Sequence, residues 1–465
     1  MSFLFTHTPQ ILTPPCYAGR CSFPVTKEKH MMLSAPKSLS GPRLAAYNHV
    51  QLGLGIGTHV PHFVDAATGK TALHLQAAMK AGAPVPLDRL ESTAENLVHQ
   101  LEGIRVPRHF LHLQRSIWLL EHARALRANV QILQGKHFSV ADEAKLLYGV
   151  DVAPFPDLHF QDLRNRLHDL LPGKNDRSKT LAERRAECDQ ARSIDPNLAL
   201  RLIHKTIYPK VQKLSAAFYT APEKNSVEFA LAHGVSWTGY NWWQGKGHSL
   251  VQFNGDRPMA LAHLADTVMH EAGLGHHLHH VGIEHYLDRG HRWLEHSIDL
   301  FGVPWGTVAE GIAMTALPLV MDKETWIAWH KDVLFPAAHM THLDAEREYE
   351  QAVTALKTAY GNAVFLFADG ASAEQVQNFF RTNAASTEAD ALKSANFVKK
   401  YGSYAFTYYM GAALMAKLYA RPSWNGQPSP HYWYHRLVSQ PVTPSMIRAW
   451  IEHGSSADLS ALLRA

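Results

Sequence analysis

At 465 residues and 52.0 kDa, the chain is about three times the length of a typical domain, enough for two or three domains or one large helical body with a sizeable core. Apolar residues make up 46% and charged residues 18%, which excludes a disordered chain, where low hydrophobicity goes with high charge. Lys and Arg number 45 against 41 Asp and Glu, and the net +4 is scattered in short clusters such as Arg184-Arg185 and Lys399-Lys400, so nucleic acid is not an expected partner.

The N-terminus, MSFLFTHTPQILTPPC, has neither a basic n-region nor a continuous apolar h-region, so it does not read as a signal peptide. Residues 1–40 read as an irregular extension. The cysteines Cys16, Cys21 and Cys188 form no C-x-x-C pair. That leaves no disulfide framework and fits a reducing, cytoplasmic compartment. The longest apolar runs, such as Gly311 to Met321, fall short of a membrane span, so a soluble chain with no membrane partner is expected.

Residues 41–225 form an N-terminal helical part. Leu90, Leu97, Leu101 and Ile104, then Leu111, Leu113, Ile117 and Leu120, recur at spacings of three and four, which predicts two helices parted at Pro107. Ser139 suits an N-cap, with Asp142 and Glu143 in the first turn of a helix that ends near Gly149. Further helices are predicted over 156–171, 177–192 and 196–219. Gly53-Leu-Gly-Ile-Gly runs into Thr-His-Val-Pro rather than into a helix, so it lacks the context of a dinucleotide fingerprint.

Residues 226–465 are expected to combine a small sheet with a helical catalytic part, possibly continuous with what precedes them. Over 226–256 the period changes. Val, Phe, Trp and Tyr alternate with His233-Gly234 and Gly245-Lys-Gly, predicting two or three short antiparallel strands. From Pro258 the chain is helical to its end, with breaks at Pro304, Gly361 and Gly370 and across 422–441. The whole is a mainly α chain with one small antiparallel sheet.

Histidine is the compositional outlier. Of 31 in the chain, nine (His263, His270, His276, His277, His279, His280, His285, His291, His296) fall between 263 and 296, where the average frequency would place about two. On a helix at 100° per residue, Leu261, Leu264, Ala265, Val268 and Ala272 share one face, while His263, Asp266 and His270 take the opposite one. His270 followed by Glu271 opens like a zincin, in which the His binds metal and the Glu handles the proton of water. The usual second ligand at i+4 is absent, because position 274 is Leu. On an unbroken helix His276 would lie roughly 120° round and about 9 Å along, and His277 on the same face but about 10.5 Å along. Gly273 and Gly275 offer a break that could bring either imidazole round.

His270-Glu271-x-x-x-Gly275-His276-His277-Leu, followed by Ala309-Glu-Gly-Ile-Ala, resembles the signature of a family of bacterial proteins of unknown function that are zinc-metallopeptidase-like and related in fold to the thimet oligopeptidase and carboxypeptidase Taq families. Ala144-Lys-Leu-Leu-Tyr-Gly-Val, Ser236-Trp-Thr-Gly-Tyr-Asn-Trp-Trp, Ser249-Leu-Val-Gln-Phe-Asn-Gly-Asp and Ser297-Ile-Asp-Leu resemble its segments in the same order. The likeness covers roughly 140–420, and Leu274 stands where the family commonly has Pro.

The resemblance implies a large helical metallopeptidase-like fold whose cleft lies between the N-terminal helical part and the histidine-bearing half. It implies Zn2+ held by His270, His276 and Glu310, with His277 possible in place of His276, and Glu271 as general base. Two histidines and one carboxylate leave a coordination position open for water, as catalytic zinc requires. Tyr408, in the Tyr-x-x-Gly segment, is implied as the donor to the oxyanion, and Ser249 to Asn254 as the strand that pairs with extended substrate. The expected activity is hydrolysis of a small peptide or other amide. The alternatives are a non-haem Fe(II) enzyme, which also uses two histidines and a carboxylate, and a non-catalytic metal-binding protein. No oligomeric state is read from the sequence.

Overall fold

The computed structural model describes residues 32, 35–341, 345–422 and 429–464. Most of the expected N-terminal extension lies outside these residues. Within it, Met32 is buried against the core, and the first described helix begins at Gly41. The chain is mainly α. No helix among the described residues is long and apolar enough to cross a membrane.

The helical period is realised where it is strongest. Helices run over Leu87–Glu102 and Phe110–Leu133 on either side of Pro107. The next, Val140–Tyr148, starts where the Ser139 hydroxyl accepts the Asp142 N–H and stops at Gly149 in the left-handed region, φ 64°. Helices also cover Asp157–Leu170 and Leu181–Ala191, the latter opened by a reciprocal Thr180–Glu183 capping box. From Pro196 to Phe218 the chain stays helical through one wider turn at Ile203–Ile207. Gly53 and Gly55 lie inside the helix Gly41–Ile56, where a side chain would collide with Leu300 and Leu90 respectively. Gly361 does not break the chain but sits within the helix Ala359–Ala368, and Pro430–Ser439 inside the expected 422–441 break is helical.

The sheet is mixed rather than antiparallel. Gly239–Gly245 and His248–Asn254 form the expected hairpin, but Ser226–Ala232 lies along the far edge of His248–Asn254 in parallel, Ser226 opposite His248 and Ala232 opposite Asn254. Nor is it the only pairing. Val64–Ala67 pairs antiparallel with Ile298–Leu300, and Ser193–Ile194 with Met259–Ala260. The first of these short ladders ties a strand from the N-terminal part beside the histidine-rich half.

Behind the cleft, the helices Trp305–Thr315 and Phe406–Tyr419 cross at two glycines. A Cβ on Gly411 would sit 2.6 Å from the Thr307 carbonyl oxygen and 2.9 Å from Gly311 Cα. The backbones touch with no room for a methyl. Gly411→Ala is expected to destabilise the protein by about 1–3 kcal/mol through overpacking, although Ala is the better helix former by about 1 kcal/mol. A urea midpoint that did not fall, at unchanged m-value, would refute this close crossing.

Candidate metal centre

The helix Leu261–Ala272 buries Leu261, Leu264, Ala265, Val268 and Ala272, leaving His263, Asp266 and His270 on the cleft side. It ends at Gly273, and a new helix, His276–Ile283, starts at once. The break depends on close backbone approach. A Cβ on Gly275 would lie 2.0 Å from the His270 carbonyl oxygen, and one on Gly273 2.4 Å from Met269 Sδ. This kink turns the His276 ring onto that of His270, with the two Nε2 atoms 3.1 Å apart.

Glu310 enters from the helix Trp305–Thr315. Its Oε2 lies 3.4 Å from His270 Nε2 and 3.9 Å from His276 Nε2. Among the described residues these three are the one group of His, Cys, Asp or Glu side chains whose donor atoms converge closely enough for a metal ion, all within 4.8 Å of one another. Donors about 2.0–2.1 Å from a tetrahedral zinc stand roughly 3.3 Å apart, so the three separations fit that ion. Glu310 Oε2 is buried and has no hydrogen-bond partner, while Oε1 accepts the Tyr404 hydroxyl at 2.6 Å.

His277 faces the other way. Its Nδ1 lies 2.8 Å from Ser249 Oγ and its Nε2 3.1 Å from Asn225 Oδ1, so both ring nitrogens are engaged away from Glu310. The other histidines of the cluster pack or pair locally. His279, His280, His291 and His296 lie against the rings of Trp305, Trp243, Trp293 and Trp118, and His285 pairs with Glu223 at 3.6 Å.

Glu271 is buried beside the group, its Oε1 3.9 Å from His270 Nε2. Burial above all, then the charges of Glu310 and Asp65, push its carboxyl up to about 7, with His270 opposing. Burial also pushes Glu310 up. For that group, however, the adjacent imidazoles, His270 first and then His276, and the Tyr404 hydroxyl outweigh burial and hold it below the usual carboxylate range. Burial keeps His276 neutral, down to about 4, which is the form that ligates metal.

The cleft encloses about 700 Å³, the size of a small-molecule or short-peptide site. It does not lie between the N-terminal helical part and the histidine-bearing half. Except for Asp65, all of its lining residues fall between Ser236 and Ala412. Ser249 to Asn254 cannot pair with extended substrate either, because that strand is central and both its edges are taken. Of the three strands of that sheet, the one that lines the cleft is Gly239–Gly245.

Tyr408 lines the cleft, its phenol held well above the ordinary range by burial and then by the charges of Glu310 and Glu271. Four further polar side chains line the cleft, none of them given a role in the sequence analysis. Tyr404, one turn earlier, is the phenol bonded to Glu310. Tyr240 donates to Asp65, and Asp299 stands next to Asp65 in the Val64–Ala67/Ile298–Leu300 ladder. Tyr240 and Asp299 lie in segments that carry the resemblance and Tyr404 lies one turn before Tyr408, whereas Asp65 carried no signal.

No family model and no curated protein matches this chain. A solved structure described as that of "a putative lipoprotein of unknown function from Shewanella oneidensis" aligns over 93% of this chain and 88% of its own, at a TM-score of 0.40 and 11% identity.

Proposed function

We propose that the chain is a zinc-dependent hydrolase that cleaves peptide or other amide bonds. The observation that carries this reading is Glu310 Oε2, buried 3.4 and 3.9 Å from two imidazole nitrogens and making no hydrogen bond among the described residues. A buried acceptor left unpaired is costly, and a cation held by His270, His276 and Glu310 removes that cost.

Bound there, zinc supplies a Lewis acid that polarises a carbonyl and makes water nucleophilic near neutral pH. Glu271 takes a proton from the attacking water and passes it to the leaving amine. Its raised affinity for a proton suits a group that must hold and release one near pH 7. Tyr404 fixes the Glu310 carboxylate through Oε1, leaving Oε2 as the ligand atom. Tyr408, whose hydroxyl has no protein partner among the described residues, donates to the substrate carbonyl oxygen as charge builds there. A reducing, cytoplasmic location accompanies this reading.

The test is metal analysis of the purified protein alongside hydrolysis of a short-peptide library. One zinc per chain is expected, with hydrolysis abolished by a chelator and restored by zinc but not by iron. Metal-free protein that still cleaves peptides, or recovery with iron alone, would overturn the proposal.

A further inference from the structure

A groove of about 830 Å³ opens on the surface where the start of the helix Phe110–Leu133 meets the helix Pro430–Ser439, and it shares no lining residue with the metal cleft. Arg436 lies at its base, only 5% exposed. Four aromatic rings surround the guanidinium, with Cζ 4.2 Å from the ring centroid of Trp450, 5.4 Å from Phe110, 5.6 Å from Trp433 and 5.7 Å from Tyr432. Nε donates to Gln440 Oε1 at 3.2 Å, and Nη1 donates to the Tyr432 hydroxyl at 3.2 Å and the Ser455 carbonyl at 2.9 Å. All three partners are neutral. Among the described residues no carboxylate pairs with Arg436 and Nη2 makes no hydrogen bond, although protein does not enclose it, so Nη2 is the edge left to the groove. A buried cation with no counter-ion is costly until an anion reaches it.

The other wall of the groove points the same way. The helix Phe110–Leu133 is 24 residues long, no side chain caps its start at His109, and its first turn holds no acidic residue. The N–H groups of that turn and the positive end of the helix dipole are therefore left without an anion. Arg108, beside the cap, lines the groove, is exposed and makes no ion pair among the described residues. The 5.4 Å contact with Phe110, the first residue of the helix, brings the buried guanidinium to this helix start. One carboxylate lines the groove, Asp458, and it is turned to the Ser460 N–H and hydroxyl at 2.9 and 3.0 Å.

We propose that this groove binds a small organic phosphate, its oxygens shared between Arg436 Nη2, Arg108 and the open start of the helix Phe110–Leu133, and its carbon group laid on the Phe110 ring. A phosphate monoester carries roughly −1.5 to −2 charge at pH 7 and three acceptor oxygens, whereas a carboxylate brings a single charge and two oxygens. The phosphate therefore answers all three sets of donors at once, and a helix start with free N–H groups suits it. Phe110 is 38% exposed, which leaves ring surface for the esterified group. The site stands apart from the metal centre and does not depend on the hydrolase reading.

The test is calorimetric titration of the full chain with phenyl phosphate, benzoate and inorganic phosphate at pH 7.5 and constant ionic strength. Phenyl phosphate is expected to bind once per chain with a Kd below about 1 mM, at least about 10-fold tighter than either of the other two. Arg436→Met and Arg108→Ala should each weaken it by about 10-fold or more. His109→Asp puts a carboxylate at the helix start, so it should raise the thermal midpoint and yet weaken phenyl phosphate by a similar factor. That variant keeps the test decisive if Arg436→Met fails to fold. Glu310→Gln, which alters the metal centre, should leave the affinity unchanged. Affinity lost in Glu310→Gln but kept in His109→Asp would put the phosphate on the metal centre and overturn the groove site, as would the absence of saturable binding. Benzoate binding as tightly as phenyl phosphate would overturn the assignment to phosphate, and inorganic phosphate binding as tightly would overturn the seating on Phe110.

Discussion

Glu271→Gln is expected to lower kcat/KM for peptide hydrolysis by about 10³-fold or more, with zinc still bound at one per chain. General acid–base transfer by one positioned group contributes typically 10²–10⁴-fold. Here a single carboxyl is asked both to take the proton from water and to deliver it to the leaving amine. Gln keeps the shape and the packing against Gly239, where an added Cβ would stand 3.3 Å from Glu271 Oε1, but it cannot carry the proton. It also leaves intact the Asn241 amide that donates to the Glu271 backbone carbonyl at 2.6 Å. Activity within threefold of wild type in a variant that retains its metal would remove Glu271 from the mechanism.

The same substitution has a stability signature in the metal-free protein. The folded chain binds the Glu271 proton more tightly than the unfolded chain does, at about 7 against the ordinary 4.5. A group raised in this way contributes fully below about pH 4.5, and its contribution is lost as pH climbs to about 7. Gln does not titrate, so the metal-free variant should match wild type in acid and become the more stable of the two across that window, by on the order of 3 kcal/mol at its top. Thermal unfolding of the two proteins at pH 4 and pH 7.5 measures the difference, and a gap that failed to widen with pH would contradict the buried, carboxylate-crowded setting of Glu271.

Much of this site was legible because it is local in sequence. His270, Glu271, Gly273, Gly275 and His276 fall within seven positions, and two glycines in a helical pattern announce a break. Helical wheel geometry alone could not choose between His276 and His277. The choice is made by the kink, which swings one ring to His270 and leaves the other against Ser249 and Asn225. The long helices were legible from their 3.6-residue period. What could not be read depends on which distant segments meet. The Gly245-Lys-Gly turn marks a hairpin, but nothing local says that Ser226–Ala232 lies parallel on the hairpin's far edge, and that placement makes Gly239–Gly245 the strand lining the cleft. Asp65 reaches the site only because Val64–Ala67 pairs with Ile298–Leu300. Tyr404 and Tyr408 are one turn apart and chemically alike, so only the three-dimensional position of Glu310 tells which of them bonds to it.

That distinction separates three substitutions. Glu310→Gln should abolish stoichiometric zinc and reduce hydrolysis to background, because it replaces the anionic ligand atom by a neutral one while leaving the helix Trp305–Thr315 and the Tyr404 contact sterically unchanged. Tyr404→Phe removes only the hydrogen bond that orients the carboxylate, and loss of such a support typically costs 10–100-fold in metal affinity. Hydrolysis should then return when zinc is supplied in excess. Tyr408→Phe removes a donor to the substrate oxygen and should lower kcat by about 10²–10³-fold, with zinc affinity unchanged and no rescue by added metal. Zinc competition against a chromogenic chelator, run beside kcat at saturating zinc, separates the three. If Tyr408→Phe lost metal and Tyr404→Phe lost only kcat, the two phenols would have to exchange roles. If Glu310→Gln kept tightly bound zinc, the metal centre would lie elsewhere.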